Sequence, residues 1–375
     1  MHDRPVSLYL HVPFCPQVCP YCDFHKMLRH EGLVARYLDR LEAEVREAGE
    51  RFPGPLETIY LGGGTPSALE DDELERVVRA LADSFGFPAR LETTIEADPL
   101  TFDPERLSFF RDLGFSRLSI GLQSTQDQVL RRLGRRHGGA EGLEAVTWAL
   151  EAGFEVSADL ITAVEGQDAE RDLRTLAATG VPHVSVYTLT IEPFTPFAVR
   201  GVRVDEERAA DDYERAAQVL SRYGLERYEV SSHARPGHES RHNQVYWHGR
   251  YFMGLGPAAA GFLPCPGSPG VRVSNPPMKG WLAGETAVTE RLSAEEYVLE
   301  RLMTGLRTLR GVDINDVRER SGIDVRQRFA GLLDRFIRLG LLETTDDRLK
   351  ATDAGLIRLD ALLREFFARG TADPA

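Results

Sequence analysis

From residue 6 to about residue 190, short runs of Val, Ile, Leu, Thr and Tyr alternate with longer stretches whose apolar residues recur every three or four positions. The short runs, bounded by Gly, Pro or Asp, predict strands at 6–12, 58–61, 92–97, 117–122, 155–161 and 183–190. The longer stretches predict helices at 34–51, 104–113, 142–152 and 168–178. A further helix is expected to open at Ser67, whose hydroxyl can cap while Glu70 reaches back, with Leu74, Val77, Val78 and Leu81 on one face. Six strand-then-helix units imply an α/β fold with a parallel sheet, either doubly wound or curled into an open, partial TIM-type barrel. In both, reactive groups gather at the C-terminal ends of the strands.

After residue 200 the pattern changes. A charged helix at 205–223 leads to a short strand at 227–230 and a His-rich stretch, and the five prolines of 264–277 read as a surface connection. From Ser293 the chain is helical again. Residues 329–341, 343–349 and those from Asp353 onward read as helix, two-stranded wing, helix. The expected units are 1–200, 201–290 and 291–375, the last helical and winged-helix-like.

Composition narrows the function classes. The chain has 375 residues, 42% hydrophobic and 27% charged, the profile of a globular protein too long for one small domain. Its net charge is −13, and the wing region from Arg291 carries fifteen basic against fifteen acidic residues, so nothing provides the basic face of a nucleic-acid binder. The longest near-apolar stretch, 251–264, is too short to span a bilayer. Asp3, Arg4 and Pro5 stand where a secretory leader would be apolar, so a cytoplasmic protein is expected.

Three of the four cysteines fall within eight residues, Cys15-Pro-Gln-Val-Cys19-Pro-Tyr-Cys22, directly after the first predicted strand. Clustered thiols suggest a metal site in a reducing compartment. Thiolates are soft ligands, and a cubane iron–sulfur cluster held by three of them keeps one iron open to a small molecule. A zinc site completed by His11 or His25, or plain buried thiols, is the alternative. After the second strand, Gly62-Gly63-Gly64-Thr65-Pro66 can be a tight turn, or a backbone that approaches an anionic ligand closely.

Together these motifs resemble the radical S-adenosylmethionine superfamily. The wider text is similar to the branch that holds oxygen-independent coproporphyrinogen III oxidase and the haem chaperones: Leu8 to Cys15, Cys19 to Phe24, Gly62 to Pro66, Ser119 to Ser124, Leu133 to Arg135, Leu189 to Phe197 and Arg235 to Asn243 with Tyr246 and Trp247. The resemblance implies that Cys15, Cys19 and Cys22 hold a [4Fe–4S] cluster. The open iron would chelate S-adenosylmethionine, whose methionine end would lie along Gly63, Gly64 and Thr65, with Tyr9 and Tyr21 near the cluster. Glu96, Gln123, Arg135 and Asp159 would meet the rest of that cofactor from successive strand ends. For Glu96 and Asp159 taken singly, a helix cap or a surface ion pair is an equal alternative, and only their collective register favours the cofactor role.

Two departures favour the haem-chaperone side. The coproporphyrinogen-oxidising branch resembles C-x3-C-x2-C-x-C, where this chain has Phe24, and it carries a longer segment before the cluster than the fourteen residues here. His242-Asn-Gln-Val-Tyr246-Trp247 resembles that branch's haem-associated word. His242 would then be an axial ligand to haem iron, or else a packing residue, with His233, His238 and His248 as rivals. The expected function is binding haem and handing it to acceptor haemoproteins, respiratory ones at the membrane included. The alternative is oxidative decarboxylation of coproporphyrinogen III. Relatives read like D-L-I-Y-G-L-P-G-Q after the fifth strand, where this chain has Asp159-Leu-Ile-Thr-Ala-Val-Glu-Gly-Gln167, so an altered loop is expected at the cofactor mouth. Cys265 is expected to be a loop thiol outside the cluster.

Overall fold

The computed structural model describes residues 4–87 and 90–370; Asp3 and the end of the last predicted unit lie outside them. Six strands run parallel in chain order: Ser7–Val12, Thr58–Gly63, Glu92–Ala97, Arg117–Gln123, Glu155–Thr162 and His183–Thr188. These are the first to the sixth strands below, and each pairs with the next. Six further strands extend the same sheet. Phe252–Leu255 lies parallel to the first strand, and Ala260–Cys265, Ser268–Ser274 and Val288–Arg291 follow it antiparallel. Ser232–Ala234 and Glu226–Arg227 pair antiparallel beyond the sixth strand. The outermost strands, Val288–Arg291 and Glu226–Arg227, do not pair with each other, so the barrel is open.

Period-two alternation decides which side chains face the helices and which face inward. Leu118, Ile120 and Leu122, then Val156, Ala158 and Leu160, are buried in the main core beside the helices. The intervening Arg117, Ser119, Gln123, Ser157 and Asp159 face a cavity inside the barrel. The helix Glu31–Arg51 buries Val34, Leu38, Leu41 and Val45, and Asp71–Phe85 buries Leu74, Val77, Val78 and Leu81, the face expected for it.

That second helix opens later than the sequence suggested. Pro66–Ala68 forms one 3-10 turn, Leu69 is extended, and the α-helix starts at Asp71. The Glu73 carboxylate accepts from the Glu70 N–H at 2.8 Å, whereas the Ser67 hydroxyl bonds the Thr101 hydroxyl at 2.6 Å. The capping box is therefore shifted by three residues.

The Pro-rich stretch is a second correction. Ala260–Cys265 and Ser268–Ser274 form a hairpin in the sheet, turning at Gly267 with φ +72°. The register shifts between Leu263 and Cys265, so Pro264 sits at an irregularity where no ladder N–H is needed. Cys265 thus ends a strand, remote in sequence from the other thiols. The short strand expected at 227–230 is also split, into Glu226–Arg227 and Ser232–Ala234.

The C-terminal domain has its own core, with Val298, Leu302, Phe329, Phe336 and Phe366 buried together. The wing strands Leu342–Thr344 and Arg348–Ala351 gain a third partner, Val312–Asp313. Arginines dock this domain onto the sheet: Arg320 donates to the Gly249 and Pro269 carbonyls at 2.8 and 3.0 Å, and Arg301 to the Trp247 carbonyl at 3.0 Å. Among the described residues, no helix is long and apolar enough to cross a membrane.

Candidate functional site

At the C-terminal ends of the parallel strands lies a cavity of about 580 Å³, within the range that holds a cofactor-sized ligand. Cys15, Cys19 and Cys22 line its rim, all three outside any disulfide. A two-residue parallel pairing of Phe14–Cys15 with Met27–Leu28 closes the loop that carries them. Burial pushes the Cys15 thiol up to about 11, offset in part by a hydrogen bond from Thr65, and burial raises Cys22 as well. The Arg135 guanidinium lies 3.6 Å from Cys19 Sγ and is held by Asp98 at 2.7 Å and the Gly121 carbonyl at 2.8 Å. Lys26 reaches the Cys22 carbonyl.

The glycine run does more than line the cavity. The N–H groups of Gly64 and Thr65 donate to the Val12 and Phe14 carbonyls at 2.8 Å, and that of Gly63 to Glu96 Oε2 at 2.9 Å. A Cβ on Gly64 would meet the Phe14 carbonyl oxygen at 2.7 Å, and one on Gly63, whose φ is +109°, the His11 ring at 2.3 Å. These glycines bring the second strand hard against the thiol-bearing loop. Gly63, Gly64 and Thr65 still form part of the cavity wall, but their donors are already engaged.

Deeper in, Glu96 accepts from the Tyr60 hydroxyl at 2.8 Å, and burial pushes its carboxyl up to about 7. Burial likewise raises Asp159 to about 6, against the lowering effect of Ser185 and Ser119. Neither residue is a helix cap or a surface ion pair. Gln123 closes the fourth strand at φ +67°, a left-handed conformation that an ordinary residue holds at an energetic cost. Tyr21 lines the rim beside Phe197.

Two expected site residues are absent from this wall. Tyr9 donates toward or accepts from His11 Nδ1 at 2.9 Å and packs on Tyr60, beneath the cavity. His242 is fully buried: Nδ1 bonds the Thr58 hydroxyl at 2.7 Å, Nε2 bonds the Tyr246 hydroxyl at 2.6 Å, and the ring stacks on Tyr60. Burial lowers it to about 3, so the imidazole is neutral, yet both nitrogens are occupied. The His242 ring is enclosed here, while its neighbours Ser240 and Asn243 reach the cavity.

The loop that departs from the relatives' pattern also lies off the wall. Ile161 lines the cavity, but Glu165 turns outward to Arg132 at 2.7 Å, and Ala163 takes φ +62° with its N–H on Asp212 at 3.2 Å. Residues that sequence reasoning missed are Asp98, Thr94, Arg117 and His183, all on the wall. The signal was period two: Thr94 shares the inward face with Glu96, and Arg117 with Ser119.

The donor set fits an iron–sulfur cluster with an organic co-ligand. Three soft thiols share one rim, yet no group of three or more His, Cys, Asp or Glu is gathered to hold a single metal ion among the described residues. A mononuclear zinc site needs that convergence, whereas a cubane places each thiolate on a different iron. Thr94 Oγ1 and Arg135 Nε, buried on the wall without partners, await a polar ligand.

Comparison with known proteins agrees. Residues 9–179 match the model of the Radical SAM superfamily, and 292–358 that of the HemN C-terminal domain. The haem chaperone HemW of Synechocystis sp. is 37% identical over 82% of this chain and 79% of its own length. That of Escherichia coli is 32% identical over 97% and 98%. The chain belongs to the HemW family of radical SAM proteins. The superfamily's cofactors are a [4Fe–4S] cluster and S-adenosylmethionine. The structure of coproporphyrinogen III oxidase (HemN) from Escherichia coli superposes with a TM-score of 0.83, 22% identical over 97% of this chain and 90% of that one; the two share this fold.

Proposed function

We propose that this chain is a haem chaperone, which binds a [4Fe–4S] cluster, S-adenosylmethionine and haem and delivers haem to acceptor haemoproteins. Cys15, Cys19 and Cys22 hold the cluster, which supplies an iron open to the amino and carboxylate groups of S-adenosylmethionine. Arg135, fixed by Asp98, sets a positive charge 3.6 Å from Cys19 Sγ. Gly63, Gly64, Thr65 and Tyr21 shape the methionine end. Glu96, Asp159 and Gln123 face the remainder, and the two raised carboxyls ionise more readily with a cation beside them. The protein acts in the cytoplasm, with respiratory acceptors at the membrane.

One observation carries the choice of branch. Phe24, 64% exposed at the cavity mouth, stands where the oxidising relatives place a further cysteine. Relatives named haem chaperone HemW, 31–37% identical, support the same choice. Anaerobic reconstitution should yield a reducible cubane by iron and sulfide counting and electron paramagnetic resonance. Serine at any of the three cysteines should cut the iron bound severely, and Cys265→Ser should leave it unchanged. Formation of protoporphyrinogen from coproporphyrinogen III by the reconstituted chain overturns the chaperone assignment.

A further inference from the structure

A second cavity, of about 450 Å³, lies where the C-terminal domain meets the sheet. Its wall is almost wholly polar, and five arginines stand in it (Arg250, Arg301, Arg310, Arg320 and Arg348), in a chain of net charge −13. Two of them are neutralised, Arg250 by Glu57 and Arg348 by Asp313. The other three form no ion pair among the described residues. Asp316, also in the wall, acts on Arg301 through space without closing a bridge. Three unpaired guanidinium groups against one carboxylate leave a surplus of two positive charges.

Domain docking accounts for part of this cluster and leaves its charge unanswered. Arg320 donates to the Gly249 and Pro269 carbonyls and covers the Tyr251 ring at 4.7 Å. Arg301, 4% exposed, donates to the Trp247 carbonyl and the Thr304 hydroxyl at 3.0 and 3.1 Å, while its Nε is buried without a partner. Those acceptors are neutral dipoles, and a guanidinium taken out of water is costly unless an anion completes its surroundings. Arg310 is exposed and makes no docking bond among the described residues. His248 shares the wall, and neither of its ring nitrogens has a hydrogen-bond partner among the described residues. Burial, then the charges of Arg310, Arg301, Arg348 and Arg250, lowers it to about 4. At neutral pH the ring is therefore uncharged and keeps one N–H to donate.

We propose that this joint cavity binds a small phosphate-bearing anion, held by Arg301, Arg310 and Arg320 with His248 as a neutral donor. Arginine suits phosphate because its planar fork makes two parallel hydrogen bonds to one group. A phosphate monoester carries about −1.5 to −2 charges at pH 7, which matches the surplus of two, whereas a single carboxylate leaves half of it. With the Tyr251 face covered by Arg320, the wall offers no free ring on which a nucleobase could stack, so recognition is of the phosphate itself. The three arginines belong to the C-terminal domain, and His248, Arg250, Tyr251 and Ser268 come from the sheet side. A bound phosphate therefore bridges the two units and stabilises their docking by mass action.

The test is calorimetric titration of the full-length chain with inorganic phosphate, pyrophosphate, glycerol 3-phosphate and succinate, at one ionic strength balanced with chloride. Wild type is compared with Arg310→Glu and with Arg36→Glu, which makes the same charge change at an exposed helix position outside the cavity. Neither exposed position pairs with another side chain among the described residues, so both variants keep the fold, which thermal melting verifies. Wild type is expected to bind one phosphate compound per chain and to melt at a higher temperature in its presence. Arg310→Glu should weaken that binding at least tenfold and abolish the rise in melting temperature, while Arg36→Glu changes neither. Tighter binding of pyrophosphate or of glycerol 3-phosphate than of phosphate identifies a diphosphate or a phosphoester as the natural form. No phosphate binding by wild type overturns the inference. So does binding that both substitutions weaken alike, which is diffuse attraction to charge, and so does succinate binding as tightly as the phosphate compounds. Each of these results leaves the chaperone reading standing.

Discussion

Glu96→Gln should make the protein more stable at alkaline pH and no more stable at acid pH. In the folded chain the Glu96 carboxyl titrates at about 7 instead of 4.5, because burial disfavours its charge more than Tyr60 and the Gly63 N–H favour it. A raised folded pKa means that the native state binds more protons than the unfolded one between those values. Its contribution is fully present below pH 4.5 and is lost as pH rises through 7. Linkage gives a loss of about 0.8 kcal/mol at pH 5 and about 3.3 kcal/mol at pH 8, a difference of about 2.5 kcal/mol. Glutamine cannot ionise, so the variant escapes that slope. It gives up one accepted hydrogen bond, about 1 kcal/mol at every pH. The variant should therefore match or fall slightly below wild type at pH 5 and exceed it by about 2 kcal/mol at pH 8. Urea unfolding of both chains, matched for iron content, at pH 5, 6, 7 and 8 measures this. A difference that stays flat across the series refutes the reasoning, because Glu96 would then titrate alike in both states. The same variant should bind S-adenosylmethionine more weakly, a case of stability given up at a functional position.

Three further outcomes follow from individual contacts. Ala163→Gly should stabilise the chain by about 0.5–1 kcal/mol in denaturant unfolding, since Ala163 sits at φ +62° where relatives of this pattern have glycine. Gly64→Ala should lower both the melting temperature and the iron retained after reconstitution. Its Cβ would lie 2.7 Å from the Phe14 carbonyl, and overpacking of this kind costs about 1–3 kcal/mol. His242→Ala should cost about 2–4 kcal/mol of stability, read by denaturant unfolding, by stranding the Tyr246 hydroxyl, removing one of two partners of the Thr58 hydroxyl and opening space beside Tyr60.

Several elements were legible because their signals are local. Each of the six parallel strands is a continuous run between breakers, and the observed bounds differ from the expected ones by at most two residues. The cysteine trio reads directly from spacing. The hairpin of Ala260–Ser274 was hidden because prolines normally forbid a central strand, and only the irregularity at Leu263–Cys265 makes room for Pro264. Ser67 looked like a cap because its spacing to Glu70 fits, but the neighbouring Thr101 takes its hydroxyl. His242 looked like a ligand because its chemistry fits, but ring accessibility depends on which face of Arg241–Trp247 meets the second strand.

What the sequence by itself determined is the fold class, the thiol trio and the family, since these depend on residue type and short-range order. The tertiary structure alone decided that Glu96 and Asp159 are buried carboxyls facing one cavity, and that the Gly64 and Thr65 N–H groups tie the second strand to the chain entering the thiol loop. Those outcomes depend on groups 30 to 100 residues apart coming within a few ångströms. Burial and hydrogen-bond occupancy, which set the charge and reach of each group, exist only once that approach has happened.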